Sequence, residues 1–246
     1  MTWWLPTVRN KDTNNIKLIK QFSKIQIATA VAVLFHTIGL AGILFFKSEL
    51  IIKSTPVNML LSFALLLWTQ EQKNRAFWLF VLACVSIGIA VEIIGVNTGF
   101  LFGNYTYGPV LGIKVAQVPL LIGINWFIIV YCCAVTVYIL LQRIINPATS
   151  AGVKTSNTLK GLAVITDGAT LAVLFDWLME PVAVKLHFWS WQNNMIPLYN
   201  YICWFAVSAL LLLVFNSCRF YRPNKFAVHL LLIQVMFFLV LRTFLQ

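Results

Sequence analysis

Apolar residues fill seven blocks along this chain, at 25–46, 56–69, 76–95, 118–141, 159–179, 197–215 and 226–245, and the polar residues gather between them. Most blocks approach the roughly 20 apolar residues that a helix needs to cross a hydrocarbon core of about 30 Å. The pattern predicts an all-α, polytopic membrane helix bundle of about seven transmembrane helices. The second block is the weakest, because Lys53 and Pro56 leave it only about 14 uninterrupted residues, a length nearer to a re-entrant or interior helix. Residues 1–24 are expected to form a basic cytoplasmic arm, anchored by Trp3 and Trp4 and lacking the pattern of a cleavable leader. Residues 25–246 are expected to form one transmembrane domain.

Charge orients the bundle. With seven spans, thirteen of the eighteen Lys and Arg residues fall on the N-terminal side, among them Lys73, Arg75, Arg143, Lys160, Arg219 and Arg222. Five (Lys47, Lys53, Lys114, Lys185, Arg242) fall on the other face. The positive-inside rule then puts the N-terminus in the cytoplasm and the C-terminus outside. The net charge of +11 follows from this topology and from attraction to anionic headgroups, and carries no argument for a nucleic-acid partner. With 60% hydrophobic residues and a mean hydropathy of +0.85, the chain is expected in a cell membrane as a multi-pass protein, with a bacterial cytoplasmic membrane the best match. Its five cysteines have neither Cys-x-x-Cys nor metal-ligand spacing, and read as small packing residues.

The few acids inside the apolar blocks carry the chemistry, since an ionisable group at bilayer depth is costly and usually functional. A rise of 1.5 Å per residue places Glu92 about 24 Å into the third block and Asp176 about 25 Å into the fifth, both toward the outer side. Glu180 follows Asp176 at i+4, so the two share a face if the helix reaches Pro181. Alternatively these acids pair with Lys114, Lys185 or loop amides and only hold helix ends. Asp167, deeper in the fifth block, suggests an interhelical hydrogen bond, and His36 in the first is either a packed histidine or a contributor to the site. Gly88, Gly95 and Gly99 lay a groove beside Glu92.

Around the acids stand the amides of Asn97, Asn125 and Asn200 and an aromatic wall of Tyr105, Tyr107, Trp126, Trp189, Trp191 and Trp204, each individually also suited to interfacial anchoring. A carboxyl group shielded from water holds its proton more firmly and can act as an acid. Aromatic faces stabilise a cation without a counterion. Together they are equipment for making and sheltering a carbocation. No Gly-x-Gly-x-x-Gly fingerprint for a flavin or nicotinamide cofactor is present, three histidines are too scattered for a di-iron cluster, and the last block holds no Lys for a Schiff base.

The run Glu92-Ile-Ile-Gly95-Val-Asn97-Thr98-Gly99, followed by Phe102-Gly103-Asn-Tyr105-Thr-Tyr107, resembles the carotenoid biosynthesis proteins of the carotenoid 1,2-hydratase type, including the bisanhydrobacterioruberin hydratases. His36-Thr-Ile-Gly39, Asn125-Trp126, Asp176-Trp-Leu-Met-Glu180-Pro181, Trp189-Ser-Trp191 and Ile196-Pro197-Leu-Tyr199-Asn200 through Trp204 extend the likeness over about two thirds of the chain. The family more usually has Asp where this chain has Glu180, and a small residue at Met195. The resemblance implies addition of water to the terminal double bond of an acyclic carotenoid end group, giving a tertiary alcohol, with no cofactor and no metal. For that reaction Glu92, Asp176 and Glu180 are the expected catalytic carboxyls: Glu92 or Asp176 donates the proton, Glu92 preferred as the more isolated acid, and Asp176 or Glu180 orients or deprotonates the water. His36, Asn97, Thr98, Tyr105, Tyr107, Asn125, Trp126, Trp189, Trp191, Asn200 and Trp204 would contact substrate. The partners implied are an acyclic or monocyclic carotenoid, water and membrane lipid, with other enzymes of the pathway also in view. A lycopene cyclase, in which an internal double bond captures the same cation, is the nearest alternative. A non-catalytic carotenoid or lipid carrier, or a transporter, is the other.

Overall fold

The computed structural model describes residues 22–150 and 156–245. Their helices are α1 (Lys24–Leu44), α2 (Glu49–Lys53), α3 (Thr55–Thr69), α4 (Arg75–Thr98), α5 (Leu121–Ser150), α6 (Asn157–Lys185), α7 (Leu198–Ser217) and α8 (Lys225–Phe244). All but α2 and α3 are long and apolar enough to cross a membrane, so the chain is an all-α, multi-pass membrane protein. The weak second block does form a helix, α3, but its 15 residues span only about 21 Å, short of a straight crossing. The arm expected at 1–24 lies almost wholly outside the described residues.

Local sequence sets the helix ends. Ser23 and Gln26 form a reciprocal capping box at the start of α1. The Asn74 side chain accepts from the Phe77 N–H at the start of α4, and Gly99 closes that helix in the left-handed conformation (φ 65°) that glycine adopts without a Cβ penalty. The fifth apolar block is longer than expected. Pro181 has no N–H for the Trp177 carbonyl, yet α6 runs on to Lys185, because the Arg242 guanidinium on α8 donates to that carbonyl. The last turn of α6, which carries Glu180, is thereby kept helical.

Helix α5 runs through the middle of the bundle, packed against α3, α4, α6, α7 and α8. Trp126 through Val135 are all buried. Leu34, Phe35, Leu79, Leu82, Leu210 and Leu213 on the surrounding helices point outward, as expected where the solvent is lipid and apolar exposure has no cost. Close approach of α4 and α5 depends on Gly88: a Cβ there would lie 2.7 Å from the Trp126 ring. Gly88→Ala is therefore expected to cost about 1–3 kcal/mol by overpacking, read as a fall in thermal stability of the detergent-solubilised protein. An unchanged melting temperature would show that Trp126 has room to move.

One end of the bundle is closed by short β-structure. Strand β1 (Tyr105–Tyr107), after α4, pairs antiparallel with β4 (Trp189–Trp191), after α6, in the register Tyr105 to Trp191, Thr106 to Ser190 and Tyr107 to Trp189. A two-residue hairpin joins β2 (Lys114–Val115) to β3 (Val118–Pro119), turning through Ala116 and Gln117, both at positive φ. This hairpin takes Val118 and Pro119 out of the fourth apolar block, so α5 starts at Leu121.

Candidate functional site

Side chains alternate across a strand, so the sequences Tyr-Thr-Tyr and Trp-Ser-Trp sort themselves when β1 and β4 pair. Thr106 and Ser190 face out and touch each other through their hydroxyls (3.1 Å). Tyr105, Trp189 and Trp191 are buried and Tyr107 nearly so, turned inward with their polar tips toward two carboxyl groups. The four aromatic side chains thus form an inward-facing lid and do not sit at the interface as anchors.

Glu92, near the end of α4, receives three donors. Oε2 accepts from the Tyr105 hydroxyl and from the Tyr107 hydroxyl (2.6 Å), and Oε1 accepts from the Trp126 indole N–H (3.0 Å). Burial, reinforced by the facing carboxyl, pushes both phenols above the ordinary tyrosine range, so they meet Glu92 as intact O–H donors. Glu180, near the end of α6, accepts the indole N–H groups of Trp189 (2.9 Å) and Trp191 (2.8 Å), both on Oε2. Its Oε1 has no hydrogen-bond partner among the described residues.

Glu92 and Glu180 line one small pocket together with Tyr105, Tyr107, Asn125, Trp126, Trp189, Trp191, Asn200 and Trp204. Trp126 and Trp204 stack at 4.1 Å between ring centroids, inclined by 20°. Phe102 and Met179 complete the wall, and their apolar character gave no signal that would distinguish them from ordinary packing. About 20 Å³ is free in the pocket, space for a single water molecule. The Asn125 carboxamide has no protein partner among the described residues. It stands where this pocket meets a second, more apolar one of about 80 Å³, with Ile122, Met179 and Trp189 common to both walls.

Other expected positions lie elsewhere. Asp176 is wholly enclosed (0% exposed) and is not part of the pocket wall; its Oδ2 accepts from Asn200 Nδ2 (2.8 Å), while Oδ1 has no partner among the described residues. It sits behind Asn200 and fixes that amide. Asn97 is exposed and donates to the carbonyls of Ile93 and Ala116, pinning the β2–β3 turn. Thr98 is also exposed, and its hydroxyl bonds Ile94 and Phe100 at the end of α4. Both sit next to Glu92 in sequence, but the helix turns them away. His36 is buried on α1 with Nδ1 on the Ala32 carbonyl (2.8 Å) and lines the second pocket, not the first. Asp167 is exposed on α6 and takes a bond only from its neighbour Thr166, so it makes no interhelical bond among the described residues. The lysines that could have neutralised the acids are engaged elsewhere: Lys114 donates to the Tyr107 carbonyl and Lys185 to the Leu245 carbonyl.

The residues of the pocket that holds Glu92 and Glu180 all lie within a stretch that matches a known protein family. The sequence model of the family described as "Carotenoid biosynthesis protein" matches residues 54–246. The chain is 29% identical over 147 residues to the bisanhydrobacterioruberin hydratase of Haloarcula japonica, a match covering 58% of this chain and 46% of that protein. The chain thus spans about half the length of that curated relative. No solved structure matches it.

Proposed function

Since the chain belongs to the carotenoid biosynthesis protein family, we propose that it is a carotenoid hydratase, adding water to the terminal double bond of an acyclic end group to give a tertiary alcohol. The observation that carries this is the convergence of Glu92 and Glu180, from separate helices, on one aromatic pocket with room for a water. The name of the Haloarcula relative points the same way.

The hydrogen bonds divide the work between the carboxyls. Both indole donors hold Oε2 of Glu180, which leaves Oε1 as the oxygen free to carry a proton on the pocket side. Glu180 is therefore the donor, and the role first given to Glu92 moves to it. Its proton goes to the less substituted alkene carbon and the π electrons form the new C–H bond, leaving a tertiary cation at the other carbon. Glu92, an acceptor on both oxygens, supplies the opposing negative charge, and the stacked Trp126 and Trp204 faces lie in the wall beside it. A water held by Asn125 adds through an oxygen lone pair. The resulting oxonium gives its proton to the Glu180 carboxylate, which restores the acid. Asp176 acts at one remove, by orienting Asn200.

Among the described residues Lys24, Lys73, Arg75, Arg143, Lys160, Arg219, Arg222 and Lys225 stand at the end of the bundle opposite the lid, so by the positive-inside rule the site faces away from the cytoplasm. The test of the reaction is expression in a lycopene-producing bacterium with mass spectrometry of the pigments. A product heavier by one water is expected. An isomer of unchanged mass would mean cyclisation, and unaltered lycopene would support neither reaction.

A further inference from the structure

The second pocket lies between the acid pocket and the outward-facing clefts of the bundle. Beyond the residues it has in common with the acid pocket, it meets a lipid-side cleft of α1, α2 and α3 at Ile43, Thr55, Asn58 and Phe237, and another between α1 and α8 at His36 and Phe237. Most of its wall is apolar, as a polyene requires. Apart from Asn125 at the junction and Thr55, whose hydroxyl donates to the Ile52 carbonyl, three polar side chains from three helices interrupt that wall: His36 on α1, Asn58 on α3 and Gln234 on α8.

Their hydrogen bonding is incomplete. Asn58 Oδ1 and Gln234 Oε1 are both buried with no partner among the described residues. His36 Nδ1 lies 2.8 Å from the Ala32 carbonyl, which can only accept, so the proton is on Nδ1 and Nε2 is left as an acceptor. An unmatched polar atom away from water needs a reason, the more so inside a membrane. Around one cavity, unmatched acceptors beside amide N–H groups call for a group that both donates and accepts, as a hydroxyl does. Alkenes have none, whereas the alcohol that hydration creates has one, and that hydroxyl must cross this apolar passage to return to the bilayer.

We propose that His36, Asn58 and Gln234 form a subsite for the hydroxyl of the hydrated end group, where the product rests on its way from the acid pocket to the lipid. The assignment builds on the hydratase reading. It makes the passage discriminate between a polyene that bears a terminal alcohol and the same polyene without one, and it gives His36 a part in product binding outside the chemical step.

Binding can be measured without turnover, by quenching of tryptophan fluorescence in the full-length protein in nanodiscs, with lycopene and its terminal tertiary alcohol as the two probes. The alcohol should bind about tenfold more tightly than the hydrocarbon, the worth of one or two hydrogen bonds. In the Asn58→Leu/Gln234→Leu double variant that preference should vanish while hydrocarbon affinity stays within about twofold, which also shows that the variant is folded. Equal binding of the two probes by the unaltered protein would overturn the proposal. So would an alcohol preference that survives the double substitution, or a parallel loss of both ligands. Because no reaction is followed, an absence of hydrated pigment in the expression test would count against the hydratase and leave this measurement standing.

Discussion

Glu180→Gln is expected to lower the rate of hydration by about 10²- to 10⁴-fold, the usual contribution of a positioned general acid. The substitution is close to isosteric. An amide oxygen can still accept the Trp189 and Trp191 indole N–H groups that now hold Oε2, so the lid need not move. What changes is the other atom: an NH₂ group replaces Oε1 and has no acidic proton to give. Pigment conversion by purified protein in nanodiscs reads the rate, and the melting temperature should be unchanged. A variant that keeps activity within tenfold of the parent would remove Glu180 as the donor and return the role to Glu92 or Asp176. Glu180→Asp is informative beside it. It keeps an acid but withdraws it by one methylene from the two indoles.

Glu92→Gln should lower kcat by about 10²- to 10³-fold with little change in KM, the pattern of an interaction made in the transition state. Three donors point at this side chain. A carboxylate satisfies all of them, but a carboxamide must turn its NH₂ toward either the phenols or the Trp126 indole, leaving donors facing donors. More important, the amide has no charge with which to oppose a cation in the pocket. Steady-state kinetics over a range of substrate concentrations separates the outcomes. A raised KM with an unaltered kcat would mean that Glu92 only shapes the pocket.

Much of this protein can be read along the chain. Apolar blocks predict the helices because a bilayer leaves the backbone no other partner for its hydrogen bonds, and their lengths follow from its thickness. Ser23, Asn74 and Gly99 mark ends that the caps then occupy. Glu92 and Glu180 stand out because acids are rare in such surroundings. Where reading fails, the cause is local. Val118 and Pro119 look like the start of a span by hydropathy, yet a hairpin takes them. Pro181 looks like a stop, yet Arg242, distant in sequence, satisfies the carbonyl it frees. Asn97 and Thr98 look like site residues from their neighbours, yet helical rotation points them outward.

The sequence by itself determined the class of the protein, its helices and the acids that lie within them, because these depend on composition and on periodicity within a segment. Only the tertiary structure decided which acid faces the pocket and which hides behind Asn200, and that Tyr105, Tyr107, Trp189 and Trp191 form a lid instead of anchoring at the interface. Those outcomes depend on β1 meeting β4 across some eighty residues of chain. A register between distant strands is set by how the helices beneath them pack, and no spacing within either strand encodes it.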